Sequence, residues 1–183
     1  MRVLGVVGSP RKDGNTDILV DEVLRGAKDA GAEVEKIFLN DLEVKPCQAE
    51  CSGYCKKKGY CKIRDDMSPL YGKLFDSDAI VLGTPVYWYG PSAQLKAFID
   101  RWYAFSHPEY IRRMRGKRVV LIAPLEETDT AAAQPLVNMI RRSLGYLEAR
   151  FHNKLIVSAG SKGAVRRNRE AMKRAYRIGS RLK

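Results

Sequence analysis

Gly8-Ser9-Pro10-Arg11-Lys12-Asp13-Gly14-Asn15-Thr16 is the stretch whose reading decides the fold. An apolar run, Val3-Leu4-Gly5-Val6-Val7, precedes it, and a helical pattern opens near Thr16. A buried strand, a polar loop carrying Gly8 and Gly14, and a helix start make an anion site. The loop supplies backbone N–H groups, and the helix N-terminus adds its positive dipole end. Ser9, Asn15 and Thr16 can donate side-chain hydrogen bonds and Arg11 charge-assisted ones, so the expected occupant is a terminal phosphate. Neither the Gly-Lys-Ser/Thr ending of a Walker loop nor G-x-G-x-x-G is present. The plainer alternative is a strand-to-helix turn with Thr16 as its N-cap.

Working outward, residues 2–7 predict a buried strand. Ile18, Leu19, Val23, Leu24 and Ala27 recur at three and four and predict a helix over 16–30, closed by Gly31. Val34, Ile37 and Leu39 suggest a strand over 33–39. Residues 40–64 show no period. Asp65-Asp66 read as cap and dipole complement of a helix over 67–76. A third strand, 79–83, runs into a loop over 84–91. Ser92 reads as N-cap of a helix carrying Leu95, Phe98, Ile99 and Trp102. Residues 105–116 read as a polar excursion, and 118–123 as a fourth strand. A loop over 124–130 leads to a helix bearing Leu136, Val137, Ile140 and Leu144, ending near Gly145. Leu155-Ile156-Val157 gives a fifth strand, and a basic helix over 164–182 closes the chain. This alternation predicts an α/β fold: a doubly wound five-stranded parallel sheet, flavodoxin-like, in one domain over 1–183. The cysteine segment 46–62 is expected as a loop insertion after the second strand. Ligands of such sheets bind at the carboxyl ends of the strands, which places the loops after strands one, three and four side by side.

The loop after the third strand carries Pro85-Val86-Tyr87-Trp88-Tyr89-Gly90. Consecutive aromatics on a loop are costly for solubility and well suited to covering a flat ring. Core or interface packing of these rings is the plainer alternative. A phosphate at the first loop and a flat heteroaromatic at the second describe a mononucleotide, and FMN fits best.

All four cysteines, Cys47, Cys51, Cys55 and Cys61, fall in one segment, separated by three, three and five residues. On a continuous helix Cys47 and Cys55 would stand roughly 12 Å apart. Pro46, Gly53 and Gly59 predict an irregular loop that lets the sulfurs converge. Four thiolates suit a [4Fe–4S] cluster or a zinc site, with free thiols or disulfides as the remaining possibility.

Two resemblances follow. Gly8-Ser9-Pro10-Arg11 with Gly14-Asn15-Thr16 resembles the FMN-phosphate loop of the NADPH-dependent FMN reductase-like flavoproteins, and Thr84 to Arg101 is similar to that family's second signature. The resemblance implies a flavodoxin-like fold, non-covalent FMN, and a homodimer or homotetramer with flavin near the subunit interface. It assigns the phosphate to Ser9, Arg11, Asn15 and Thr16, with Gly14 in the same loop, and the isoalloxazine to Pro85, Val86, Tyr87, Trp88, Tyr89 and Gly90. Pro124 to Thr128 lacks the glycines expected of the family's third loop. Cys47 to Cys61, with Pro46 before and Asp65-Asp66-Met67 after, resembles the iron–sulfur flavoprotein branch, where two residues, not three, separate each of the first three cysteines. That resemblance implies a [4Fe–4S] cluster exchanging electrons with FMN; a cluster-free NAD(P)H-dependent FMN or quinone reductase is the alternative.

The formal net charge of +12 points to an acidic partner such as ferredoxin, unless it only solvates helix faces. No nucleic-acid recognition motif accompanies it. Lys56-Lys57-Lys58 reads equally as a docking point for an acidic donor and as a solvated loop. NAD(P)H is the other expected donor. No apolar run approaches the roughly 20 residues of a membrane span, and no signal peptide is read at Met1-Arg2, so a cytoplasmic location is expected. His107 and His152 are read as without functional role.

Overall fold

The computed structural model describes residues 1–182; Lys183, the last residue of the basic stretch, lies outside the described residues. In chain order the elements are β1 (Arg2–Val7), α1 (Asn15–Asp29), β2 (Glu33–Phe38), α2 (Tyr54–Lys58), α3 (Leu70–Asp76) and β3 (Ala79–Gly83). Then come α4 (Ala93–Asp100), α5 (Pro108–Met114), β4 (Arg118–Leu125), α6 (Gln134–Tyr146), β5 (Arg150–Ser158) and α7 (Arg169–Ser180). The strands form one parallel sheet in the order β2-β1-β3-β4-β5. This is the expected α/β, flavodoxin-like arrangement. The order reverses between β1 and β3, which is the switch point where such sheets take ligands.

Register brings the three central strands to a common end. Val7 lies beside Gly83, and Gly83 beside Ile122. Side chains alternate between faces along each strand. Leu4, Val6, Ile80, Leu82 and Leu121 join the core shared with Leu74, Phe98 and Ile140, whereas Val3, Val7, Val81 and Ile122 join Leu19, Val23, Ala175 and Ile178. Both faces are covered, which is why the strands read as unbroken apolar runs.

α1 and α7 pack backbone against backbone. A Cβ on Gly179 would fall 1.8 Å from the Val23 carbonyl oxygen, and one on Gly26 2.2 Å from that of Tyr176. The basic C-terminal stretch is thus an amphipathic helix whose Ala171, Ala175 and Ile178 are buried.

Several expectations change. β5 starts at Arg150 and not Leu155. As an edge strand with one neighbour it carries polar residues that hide it from an apolar count. The excursion over 105–116 contains α5, capped by His107, whose side chain accepts from the Glu109 N–H, with Pro108 in its first turn. Gly14, not Thr16, is the N-cap of α1. Asp65-Asp66 do not cap α3, whose N-cap is Pro69; both carboxylates are drawn instead to the strand-exit backbone at Glu43 and Lys45. The cysteine segment is not wholly irregular. α2 sits within it, bounded by Gly53 and Gly59 at φ 78° and 75°.

Candidate functional site

The loop leaving β1 is fixed by its own backbone. The Gly8 N–H donates to the Gly83 carbonyl at 2.7 Å, and the Gly14 N–H to the Arg11 carbonyl at 3.1 Å. Ser9 Oγ accepts from the Arg11 N–H at 3.2 Å. No side chain caps α1, and the first recorded helical bond runs from the Ile18 N–H to the Gly14 carbonyl at 3.0 Å. The N–H groups of Asn15, Thr16 and Asp17 therefore face outward from an uncapped helix end. An anion there meets both donors and dipole.

Ser92 ties this loop to the next. Its Oγ donates to the Gly8 carbonyl at 2.5 Å and accepts from the Leu95 N–H at 3.2 Å, so the expected cap of α4 is present and does a second job. A Cβ on Gly8 would lie 2.8 Å from Leu95 Cβ, so only glycine allows this approach. The Val86 N–H donates to the Pro124 carbonyl at 3.1 Å, tying the second loop to the end of β4. Tyr87 and Gly90 exchange both backbone hydrogen bonds at 2.9 Å around a two-residue tip. At that tip Trp88 and Tyr89 both have positive φ, 46° and 64°. Bulky residues rarely adopt this conformation.

One cleft gathers Ser9, Arg11, Gly14, Asn15 and Thr16 with Pro85, Val86 and Tyr87. Pro124, Leu125 and Glu126 line it despite their lack of glycines, and so do Ala159, Gly160 and Lys162 after β5. The last three escaped the sequence reading. The signal for them was position, since every loop at the carboxyl end of a doubly wound sheet can reach the ligand. Trp88 and Tyr89 line an adjoining hollow that shares Val86, Leu125 and Glu126 with this cleft, and the Tyr87–Gly90 hairpin leaves Trp88 95% exposed at its tip. One expectation needs correcting. The Asn15 amide has no donor left for a phosphate. Its Nδ2 donates to the carbonyls of Ala159 and Ser161, both at 2.9 Å, and its Oδ1 accepts from the Val165 N–H at 3.1 Å.

The cysteine segment is held differently. Arg101 and Asp65 form an ion pair whose side chains are both 0% exposed, with contacts of 2.7 and 3.2 Å. The same guanidinium donates to the Lys45 carbonyl at 2.8 Å and the Ile63 carbonyl at 3.5 Å. These groups sit on either side of the cysteines, so Arg101 clasps the neck of the segment. Burial works against its charge, but the hydrogen bond to Asp65 overrides it and raises the pKa above the ordinary arginine value. Inside the segment the Cys51 and Cys55 sulfurs are 2.9 Å apart as free thiols. The hydrogen bond from Cys55 pulls the Cys51 thiol below its ordinary range. Burial first, then the bond to Cys51, pushes Cys55 up to about 12. Cys61 is half-buried against the same core, and Cys47 is exposed. Among the described residues no group of three or more histidine, cysteine or acidic side chains converges as a metal site.

Residues 1–162 match the family described as NADPH-dependent FMN reductase. The chain belongs to that family. Its members are flavin-dependent oxidoreductases, and so is this chain. It is 31% identical over 182 residues to an iron-sulfur flavoprotein of Archaeoglobus fulgidus, covering 100% of this chain and 79% of the relative. An iron-sulfur flavoprotein of Methanocaldococcus jannaschii is 46% identical over 101 residues, which are 55% of this chain and 51% of that protein. In fold, an NAD(P)H:quinone oxidoreductase from Methanothermobacter marburgensis aligns with a TM-score of 0.77 at 18% identity, over 100% of this chain and 99% of that one. Among the described residues no helix is long and apolar enough to cross a membrane.

Proposed function

We propose that the chain holds FMN in the cleft at the carboxyl end of its sheet and passes electrons to it from NAD(P)H or an acidic electron-transfer protein. In this reading a [4Fe–4S] cluster on Cys47, Cys51, Cys55 and Cys61 is the second redox centre. The observation that carries the flavin reading is the uncapped N-terminus of α1, opening beside Ser9 and Arg11 into a cleft walled by Pro85, Val86 and Tyr87. The residues fit the group. First-turn N–H groups and the Ser9 hydroxyl hold the phosphate, and Arg11 offsets part of its charge. Val86, Tyr87 and Leu125 give the ring an apolar wall that excludes water. Bound FMN supplies hydride and electron acceptance; the protein supplies binding and orientation, so no acid–base pair is required.

The cysteines fit a cluster in kind and not in arrangement. Four thiols are the right ligands for [4Fe–4S]. In the structure Cys51 and Cys55 are in contact, and among the described residues the four sulfurs do not converge on one centre. That isolated thiol pair is also what favours the second reading, a flavin reductase whose cysteines hold zinc or nothing. Iron, acid-labile sulfide, zinc and FMN measured on anaerobically purified protein decide between them. The expected result is about one FMN per chain with about four iron and four sulfide. Zinc without iron overturns the cluster and leaves the flavin reading intact; a chain that takes up no FMN overturns both.

A further inference from the structure

We propose that Lys162 is a second cation on the flavin phosphate and that Asn15 is the residue that places it. The role requires FMN in the cleft, as proposed above.

Asn15 is the first residue of α1, and its amide reaches across to the segment after β5. It accepts from and donates to the backbone of Ala159, Ser161 and Val165. Both amide hydrogens and one carbonyl lone pair are used, which is most of what the side chain can offer. These three backbone positions bracket Lys162. The turn between them is closed by the Ala164 N–H donating to the Ser161 carbonyl at 3.1 Å, with Gly163 at φ 74°. The segment is thus wrapped around one amide, and the wrap sets Lys162 in the cleft lining with Ser9 and Arg11.

Charge explains why a second cation belongs there. Neighbouring Lys12 is paired with Asp41 at 2.7 Å, and Arg166 lies 3.8 Å from Asp13. Among the described residues Arg11 and Lys162 enter no ion pair. Glu126, the carboxylate lining the cleft, offsets one of them. A phosphate monoester near neutrality carries close to two negative charges, as phosphoserine does. Arg11 alone against that dianion and Glu126 would leave uncompensated negative charge in the cleft. Lys162 cuts that deficit from about two charges to about one as a mobile point charge beside the planar fork of Arg11, and the helix N-terminus offsets part of the rest.

Binding of FMN and of riboflavin, which lacks the phosphate, separates this role from a structural one. Both flavins are titrated into the flavin-free full chain as wild type, Lys162→Gln, Asn15→Leu, and Asn15→Leu with Lys162→Gln. Lys162→Gln should weaken FMN about tenfold, the loss of one charge-assisted contact, and leave riboflavin unchanged. Asn15→Leu keeps the size of the side chain and loses its donors and its acceptor without adding charge to the cleft. It should weaken FMN by a similar factor, and the double variant should be no weaker than Asn15→Leu alone, because Asn15 acts through Lys162. Wild-type FMN affinity in Lys162→Gln overturns the role of Lys162. A riboflavin loss matching the FMN loss overturns it too, since the effect is then not on the phosphate. Additive losses overturn the part given to Asn15. A wild-type chain that binds neither flavin removes the FMN reading itself.

Discussion

The cleft at the carboxyl end of the sheet and the cysteine segment are held in place by different means. The loops after β1 and β3 leave the ends of buried parallel strands, and backbone bonds tie them to the neighbouring strand: Gly8 to Gly83, Thr84 to Ile122, Val86 to Pro124. Those ties need no side chain; the segment after β5 is held by the Asn15 amide as well. The cysteine segment has no strand beneath it. Its neck is closed mainly by side chains: the Arg101 guanidinium serves Asp65 and the carbonyls of Lys45 and Ile63, Asp65 accepts from the Lys45 N–H, and Asp66 accepts from the Glu43 N–H. A loop tied by backbone tolerates substitution; a neck centred on one buried ion pair does not.

Breaking the clasp should therefore give the largest effect. Arg101→Ala leaves the Asp65 carboxylate buried without its partner and should lower unfolding stability by about 3–5 kcal/mol, read from urea denaturation. Replacing both partners, as Arg101→Met with Asp65→Leu, removes the charges together and should restore most of that loss. In the double variant the neck carbonyls still lack their donor. Trypsin should then cut at exposed Lys57 and Lys58 faster than in wild type, while FMN content stays at the wild-type level. A double variant as unstable as Arg101→Ala, or one that loses FMN in step with its cysteine segment, would break the contrast between the two regions.

The exposed hairpin tip tests the cleft side. Trp88 and Tyr89 occupy the two positive-φ positions that such turns usually give to Asn and Gly. Replacing them by Asn and Gly should raise stability by about 1 kcal/mol, seen as a higher melting temperature. The expected companion is slower turnover with NAD(P)H, because strain kept at a functional site is commonly matched by a function. A variant that gains no stability would mean the tip is not strained. One that gains stability with unchanged turnover would mean the tip does nothing for the flavin.

Legibility in the sequence followed the distance over which each feature is decided. The loop from Gly8 to Thr16, the three central strands and the Ser92 cap are local patterns, and the structure has them where the spacing put them. β5 was half legible, because an edge strand mixes Arg150 and Lys154 with its apolar end. The clasp was not legible at all. Asp65 looks like a helix cap from its neighbours, and only the fold brings Arg101 against it. The same holds for Asn15. Its residue type says phosphate ligand, but the chain folds the backbone of Ala159 to Val165 within reach and uses up the amide. Side chains whose partners lie far along the chain are set by topology, which a local reading does not supply.

The smallest effect concerns the thiol pair within the clasped segment, in protein freed of metal. The hydrogen bond from Cys55 lowers the Cys51 thiol, so iodoacetamide should label Cys51 ahead of buried Cys55 near neutral pH, as read by peptide mass spectrometry. The stability consequence has a definite sign. Burial, then the bond to Cys51, pushes Cys55 up to about 12 in the fold, above the ordinary thiol value of about 8.5. The folded state holds that proton more tightly than the unfolded one. Its contribution is fully present below about pH 8.5 and is lost as pH rises toward the folded value. Melting temperature should therefore fall over that alkaline window, and Cys55→Ala should flatten the fall. Equal labelling of the two cysteines would show that the segment opens in solution, and the clasp at Arg101 would then hold the neck without ordering what lies beyond it.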